Sequence, residues 1–239
     1  MPRYSRHQPS RPARPAPAAR PATPADSLAE LLAGNRRFVT GTRIHPNQDA
    51  EHRAALAVAQ RPFAVVFGCS DSRLAAEIIF DRGLGDLFVV RTAGHILGAE
   101  VLASIEYGVV TLGAPLVVVL GHDSCGAIQA AHTVLVDDEV PASDPRVIVD
   151  RVLPSIRLAR ARHLVRPDEV AEVHVERTVE MLVTQGGVAE AVAAARCAVV
   201  GMSYRLADGR VAVVTAGAPG AAAVPDTPAG TRTGCPESQ

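Results

Sequence analysis

Phe63-Ala64-Val65-Val66-Phe67-Gly68-Cys69-Ser70-Asp71-Ser72-Arg73 is the stretch whose reading decides the fold. The run Phe63–Phe67 is wholly apolar, follows Arg61-Pro62, and stops at a glycine and a polar cluster. A run of strand length without polar alternation reads as a strand covered on both faces, which is the habit of parallel sheets. The same order of residues returns further on: the apolar run Leu116–Leu120 and Gly121 lead into His122-Asp123-Ser124-Cys125. Both polar clusters therefore sit where a buried strand ends.

Outward from these runs, strand and helix patterns alternate. Ser27-Leu28-Ala29-Glu30 fits a capping box and opens a helix to about Thr40, with Leu28, Leu31, Leu32 and Phe38 as its apolar positions. Asp49–Gln60 reads as a second helix, ended by the Arg61-Pro62 step. Leu74–Phe80 reads as a short helix, Leu87–Arg91 as a strand after the Gly83/Gly85 turn, and Ala99–Leu112 as a helix. A helix begins near Cys125, and longer ones cover Pro145–Arg162 and Pro167–Gln185. Cys197–Leu206 and Arg210–Thr215 are strands joined by the hairpin signal Asp208-Gly209. This order predicts an α/β fold: a central, mostly parallel sheet of four parallel strands plus an antiparallel edge strand, flanked by helices, with an N-terminal helical arm. Ligand sites in such sheets lie at the carboxyl ends of the strands, where both polar clusters fall.

Composition narrows the function. With 239 residues and 48% hydrophobic content the chain can bury a large core, and no apolar run approaches the ~18 residues of a membrane span. The expected organisation is a disordered Pro/Arg/Ala-rich tail over 1–25, one domain over 26–215 and a flexible tail over 216–239. Residues 1–25 hold five Arg and no acid, leaving 19 basic against 25 acidic residues, a net −6, in the remainder. A body of that sign is a poor nucleic-acid binder. Four cysteines are too few for a disulfide scaffold, and no apolar core of a secretory signal follows the N-terminal arginines. The expected location is cytoplasmic.

Cys69, His122 and Cys125 supply two thiolates and an imidazole, a donor set that suits Zn²⁺ and leaves a fourth position open, as catalytic zinc requires. Asp71 and Arg73, two residues apart beside Cys69, are not needed by a structural zinc site. Arg73 can hold Asp71 ionised and turned away from the metal, and Asp71 can orient a hydroxide nucleophile. If that pair opens, Asp71 becomes a fourth ligand in a closed state. The alternatives are a zinc-stabilised binding or sensing module without turnover, and a thiol redox role that would leave His122 without a task.

The pattern resembles the β-class carbonic anhydrases of bacterial type over roughly residues 27–215. The resemblance rests on Cys-x-Asp-x-Arg at 69–73 and His-x-x-Cys at 122–125, with Phe88-Val89-Val90-Arg91-Thr92-Ala93-Gly94 and Ser104-Ile105-Glu106-Tyr107 between them. It implies reversible hydration of CO₂ to bicarbonate and a proton by zinc-bound hydroxide, with hydrolysis of CS₂ or COS at the same site as the alternative. Cys69, His122 and Cys125 would be the metal ligands, and Asp71 and Arg73 the orienting dyad. Gln60, Phe88 and Tyr107 match positions that line the substrate pocket in plant-type members, and the backbone at Gly126 lies beside the site. The resemblance also implies a homodimer or homotetramer with CO₂ or bicarbonate as the small-molecule partner. Some members carry a Trp three positions before the first zinc Cys, forming an inhibitory bicarbonate pocket. That position is Val66 here and the chain has no Trp, so that pocket is not expected.

Overall fold

The structure is a computed structural model that describes residues 20–137 and 146–217. Most of the two expected tails, residues 1–19 and 218–239, lies outside the described residues.

Five strands form one sheet in the order β2-β1-β3-β4-β5. They are β1 (Ala64–Cys69), β2 (Leu87–Thr92), β3 (Leu116–His122), β4 (Ala198–Tyr204) and β5 (Val211–Gly217). The pairs β1–β2, β1–β3 and β3–β4 are parallel, and β4–β5 is antiparallel. Every residue of β1 and β3 is buried, as expected of central strands with helices on both faces, whereas no residue of β5 at the edge is fully buried. The period of two sorts their side chains into two cores. Val66, Leu116, Val118 and Leu120 pack on one face with Leu31, Phe80, Ile128 and Ile156. Val65, Phe67, Val117 and Val119 pack on the other with Ile105, Val109, Val179 and Leu182.

The helices are α1 (Pro24–Thr40), α2 (Ala50–Ala55), α3 (Ala76–Ile79), α4 (Ala99–Glu106), α5 (Gly126–Asp137), α6 (Arg146–Ala161), α7 (Pro167–Leu182) and α8 (Gly186–Ala193). Three of them correct the sequence reading. The first begins a turn early: Thr23 is the N-cap, accepting from the Asp26 N–H at 3.1 Å, and Pro24 occupies the first turn, where its missing N–H costs nothing. Ser27 is thus inside the helix and fully buried. The second stops at Ala55 rather than Gln60; none of its residues is buried, so no packing extends it. The last, α8, had no sequence expectation because it starts on Gly186-Gly187. Burial of Val188 and Ala191 holds it. The helix predicted to Leu112 widens after Glu106 into a π-helical turn over Tyr107–Thr111.

Asn35 ties α1 to the rest. Its amide donates to the carbonyls of Ile79 (3.2 Å) and Gly209 (2.8 Å), and its oxygen accepts from the Val211 N–H (3.0 Å). Gly34 lets the helix approach so closely that a Cβ there would stand 1.8 Å from the Phe80 carbonyl oxygen. From β1 the chain moves outward to β2, then returns past β1 to β3. The direction of strand addition therefore reverses between β1 and β3, which opens a crevice at their carboxyl ends.

Candidate metal centre

Cys69 is the last residue of β1 and His122 the last of β3, the neighbouring strand, so parallel pairing alone brings them to one end of the sheet. Cys125 follows three residues later, just before α5. Ser124 makes the tight turn between them in a left-handed conformation (φ 51°). The ligand atoms of Cys69, His122 and Cys125 all lie within 4.8 Å of one another, and all three residues are buried. The two sulfurs are 4.0 Å apart.

The orientation of His122 is informative. Its Nδ1 is 2.7 Å from the Asp123 carbonyl oxygen, which can only accept, so Nδ1 carries the proton. That leaves Nε2 as a bare lone pair, buried and without a protein partner. A buried acceptor left so costs stability unless something binds it. Two soft sulfurs converging on that lone pair fit zinc. The Cys69 thiol is drawn well below its ordinary range, first by the hydrogen bond from the Cys125 thiol and then by the N–H groups of Asp71 and Gly94, against burial. Cys125 is pushed up by the same Cys69 sulfur and by burial. A thiol pair coupled in this way would give up its shared proton on binding a cation.

Asp71 and Arg73 form a bidentate pair: Arg73 Nε donates to Oδ1 at 2.9 Å and Nη2 to Oδ2 at 2.7 Å, while the Arg73 N–H also donates to Oδ1 at 2.9 Å. The Arg73 hydrogen bonds hold the Asp71 carboxyl well below the usual carboxylate range. Asp71 Oδ2 stands 4.0 Å from His122 Nε2, at the edge of the cluster and turned toward the guanidinium.

Several groups that sequence reasoning had not singled out hold these loops. Arg91 Nε donates to the Cys69 carbonyl at 2.9 Å, and its Nη2 donates to the Asp71 carbonyl. Asp123 accepts from the Leu206 N–H at 2.9 Å, and Asp168 of α7 accepts from the Ser124 N–H at 3.0 Å. Arg91 was visible inside a motif. Nothing in the sequence marks Asp168, 44 residues away from its partner.

Gln60, Phe88 and Tyr107 lie elsewhere. Phe88 is aligned with Val65, four residues back along β1 from Cys69, whose aligned partner is Thr92; at strand rise that is about 13 Å. Its ring centroid is 6.0 Å from that of Tyr107. Gln60 and Tyr107 line an open cavity of about 690 Å³ with Arg53, Leu56, Val58 and Leu84, and none of the metal-cluster residues lines it. Gly126 opens α5 beside Cys125, with free space where a Cβ would stand. Val66 is buried in the core. His95 is 1% exposed, and neither of its ring nitrogens has a hydrogen-bond partner among the described residues.

Among the described residues no helix is long and apolar enough to cross a membrane. The sequence model described as "Carbonic anhydrase" matches residues 64–211. A carbonic anhydrase of Mycolicibacterium smegmatis is 56% identical over 179 residues, covering 74% of this chain and 87% of that protein. Carbonic anhydrase 2 of Mycobacterium tuberculosis is 52% identical over 181 residues, covering 75% and 87%. A solved structure, described with "two tetrameric beta-carbonic anhydrases" of Sordaria macrospora, superposes with a TM-score of 0.61 at 23% identity, covering 79% of this chain and 96% of that one. Sheet order, the Cys69–His122–Cys125 cluster and kinship agree, and the chain belongs to the carbonic anhydrases of the β class.

Proposed function

We propose that Cys69, His122 and Cys125 hold one Zn²⁺ and that the protein hydrates CO₂ reversibly to bicarbonate and a proton. The observation that carries this reading is the unpartnered His122 Nε2 facing two convergent sulfurs. Bound zinc supplies Lewis acidity and makes water a nucleophile near neutral pH. The chain's own residues do the rest. Arg73 keeps Asp71 ionised and fixed, so one carboxylate oxygen is available at the cluster's edge to accept a hydrogen bond and set the direction of attack. Asp123, Asp168 and Arg91 hold the two loops so that the ligand atoms stay convergent. Should Arg73 release Asp71, the carboxylate is placed to turn to the metal as a fourth ligand, closing the site.

Gln60, Phe88 and Tyr107 are read as substrate-pocket residues that reach the metal across an interface with a second copy of the chain. Their separation from Cys69 within one chain supports this, as do the exposed Tyr107, Val58, Leu84 and Val110 around them. The tetrameric relatives point the same way. The decisive experiment is stopped-flow CO₂ hydration on protein purified without chelator, with zinc measured per chain and CS₂ assayed in parallel. One zinc per chain with CO₂ turnover is expected; stoichiometric zinc without turnover would refute catalysis.

A further inference from the structure

Behind the metal cluster lies a buried group that the mechanism above does not use. His174 of α7 is 2% exposed, and its Nε2 is 3.1 Å from the Gly94 carbonyl oxygen. A carbonyl only accepts, so Nε2 bears the proton and Nδ1 is the acceptor. Ser155 of α6, fully buried, stands 2.8 Å from Nδ1 and donates to it. Burial keeps the ring neutral, its pKa pushed down to about 4. The imidazole is thereby locked in one tautomer, aimed at one carbonyl.

That carbonyl belongs to a strained turn. Gly94 has φ 65°, and the next residue, His95, has φ 40°, a left-handed conformation in a residue with a Cβ. A Cβ at position 94 would stand 2.9 Å from that of Ala127, so the turn needs glycine. Its product is a single contact: the Gly94 N–H donates to the Cys69 sulfur at 3.2 Å. The His95 ring is wedged edge-on to Phe67 and 4.5 Å from the His174 ring.

We propose that Ser155 and His174 are positioning residues for the metal centre: they clamp the Gly94 turn so that its N–H stays on the Cys69 sulfur. A hydrogen bond to a metal-bound thiolate draws charge from the sulfur and fixes its direction, which sets how tightly the metal is held and how electron-rich it becomes. The inference rests on the zinc reading.

The test uses the full-length chain, wild type, Ser155→Ala and His174→Gln. Zinc affinity is measured by chelator competition, and the thiolate-to-metal charge-transfer band is recorded after Co²⁺ substitution. Each substitution is expected to weaken zinc binding about tenfold and to move the band to lower energy, because the sulfur loses a donor. If both variants keep wild-type affinity and band energy while melting earlier, the pair is structural only and the proposal is overturned. Should His174→Gln fail to fold, Ser155→Ala, which removes one hydroxyl, decides alone. A wild-type protein that binds no zinc would sink the zinc reading and this inference with it; normal wild-type binding with unchanged variants sinks only the inference.

Discussion

The two ends of strands β1 and β2 make opposite use of the same sheet. At the carboxyl ends, polar groups converge within one chain: thiols, imidazole, carboxylate and guanidinium each face a named partner or the shared ligand position. Toward the amino ends, Phe88 and Tyr107 meet each other beside an open cavity, with Tyr107 48% and Val58 93% exposed. Charged donors that must be held to within tenths of an ångström are built from neighbouring strands, whose spacing the backbone fixes. Apolar surface has no such requirement and can be completed by another molecule.

The sharpest way to break this contrast is to remove a ligand. Cys69→Ala, His122→Ala or Cys125→Ala should each abolish most zinc retention, read by elemental analysis; full occupancy in Cys69→Ala would strike that residue from the set. Asp71→Asn probes chemistry without the metal. It keeps the shape but loses the anionic pair with Arg73, so turnover should fall roughly 10²-fold or more with zinc retained. Wild-type hydration rates in that variant would end the dyad's role.

At the opposite end, Val110→Asp introduces a charge into the exposed apolar patch. Sedimentation should show weakened self-association and hydration should drop about tenfold, while zinc per chain stays the same because every ligand is internal. Loss of zinc in this variant would mean that the two ends are not separable.

The smallest effect concerns acid stability. His174 titrates near 4 in the folded chain against 6.5 when exposed, chiefly through burial, and the wholly buried His95 is lowered in the same direction. The unfolded chain therefore binds more protons below pH 6.5. Stability is fully present above that pH and is lost as pH falls toward 4, by up to about 1.4 kcal/mol per pH unit for each histidine. Denaturant titrations from pH 7 to 5 should show this slope, shallower in His174→Gln; an identical slope would show that His174 does not contribute.

Sequence legibility followed sequence distance. Cys69, Asp71 and Arg73 sit within five residues of one another, and His122 and Cys125 within four, each group after a recognisable strand; chemistry and spacing were both on view. The start of α1 was misplaced because Ser27 and Glu30 imitate a cap that Thr23 and Pro24 provide. The sequence pattern of α2 runs on to Gln60, but with none of its residues buried the helix stops at Ala55. Asp168, Ser155 and His174 could not be found: an acid, a hydroxyl and a histidine on amphipathic helices look like any others until α6 and α7 are laid against the site.

Alternating strand and helix patterns, with polar clusters closing two buried strands, were enough to dictate the sheet and the end of it that carries the Cys69–His122–Cys125 cluster. A parallel sheet leaves the chain few ways to arrange such elements. Which tautomer His122 presents, which backbone N–H groups reach Cys69, and where Gln60, Phe88 and Tyr107 fall relative to Cys69 were decided in three dimensions. Those facts depend on contacts between residues tens of positions apart, and hydrogen-bond geometry over a few ångströms leaves no trace in a one-dimensional pattern.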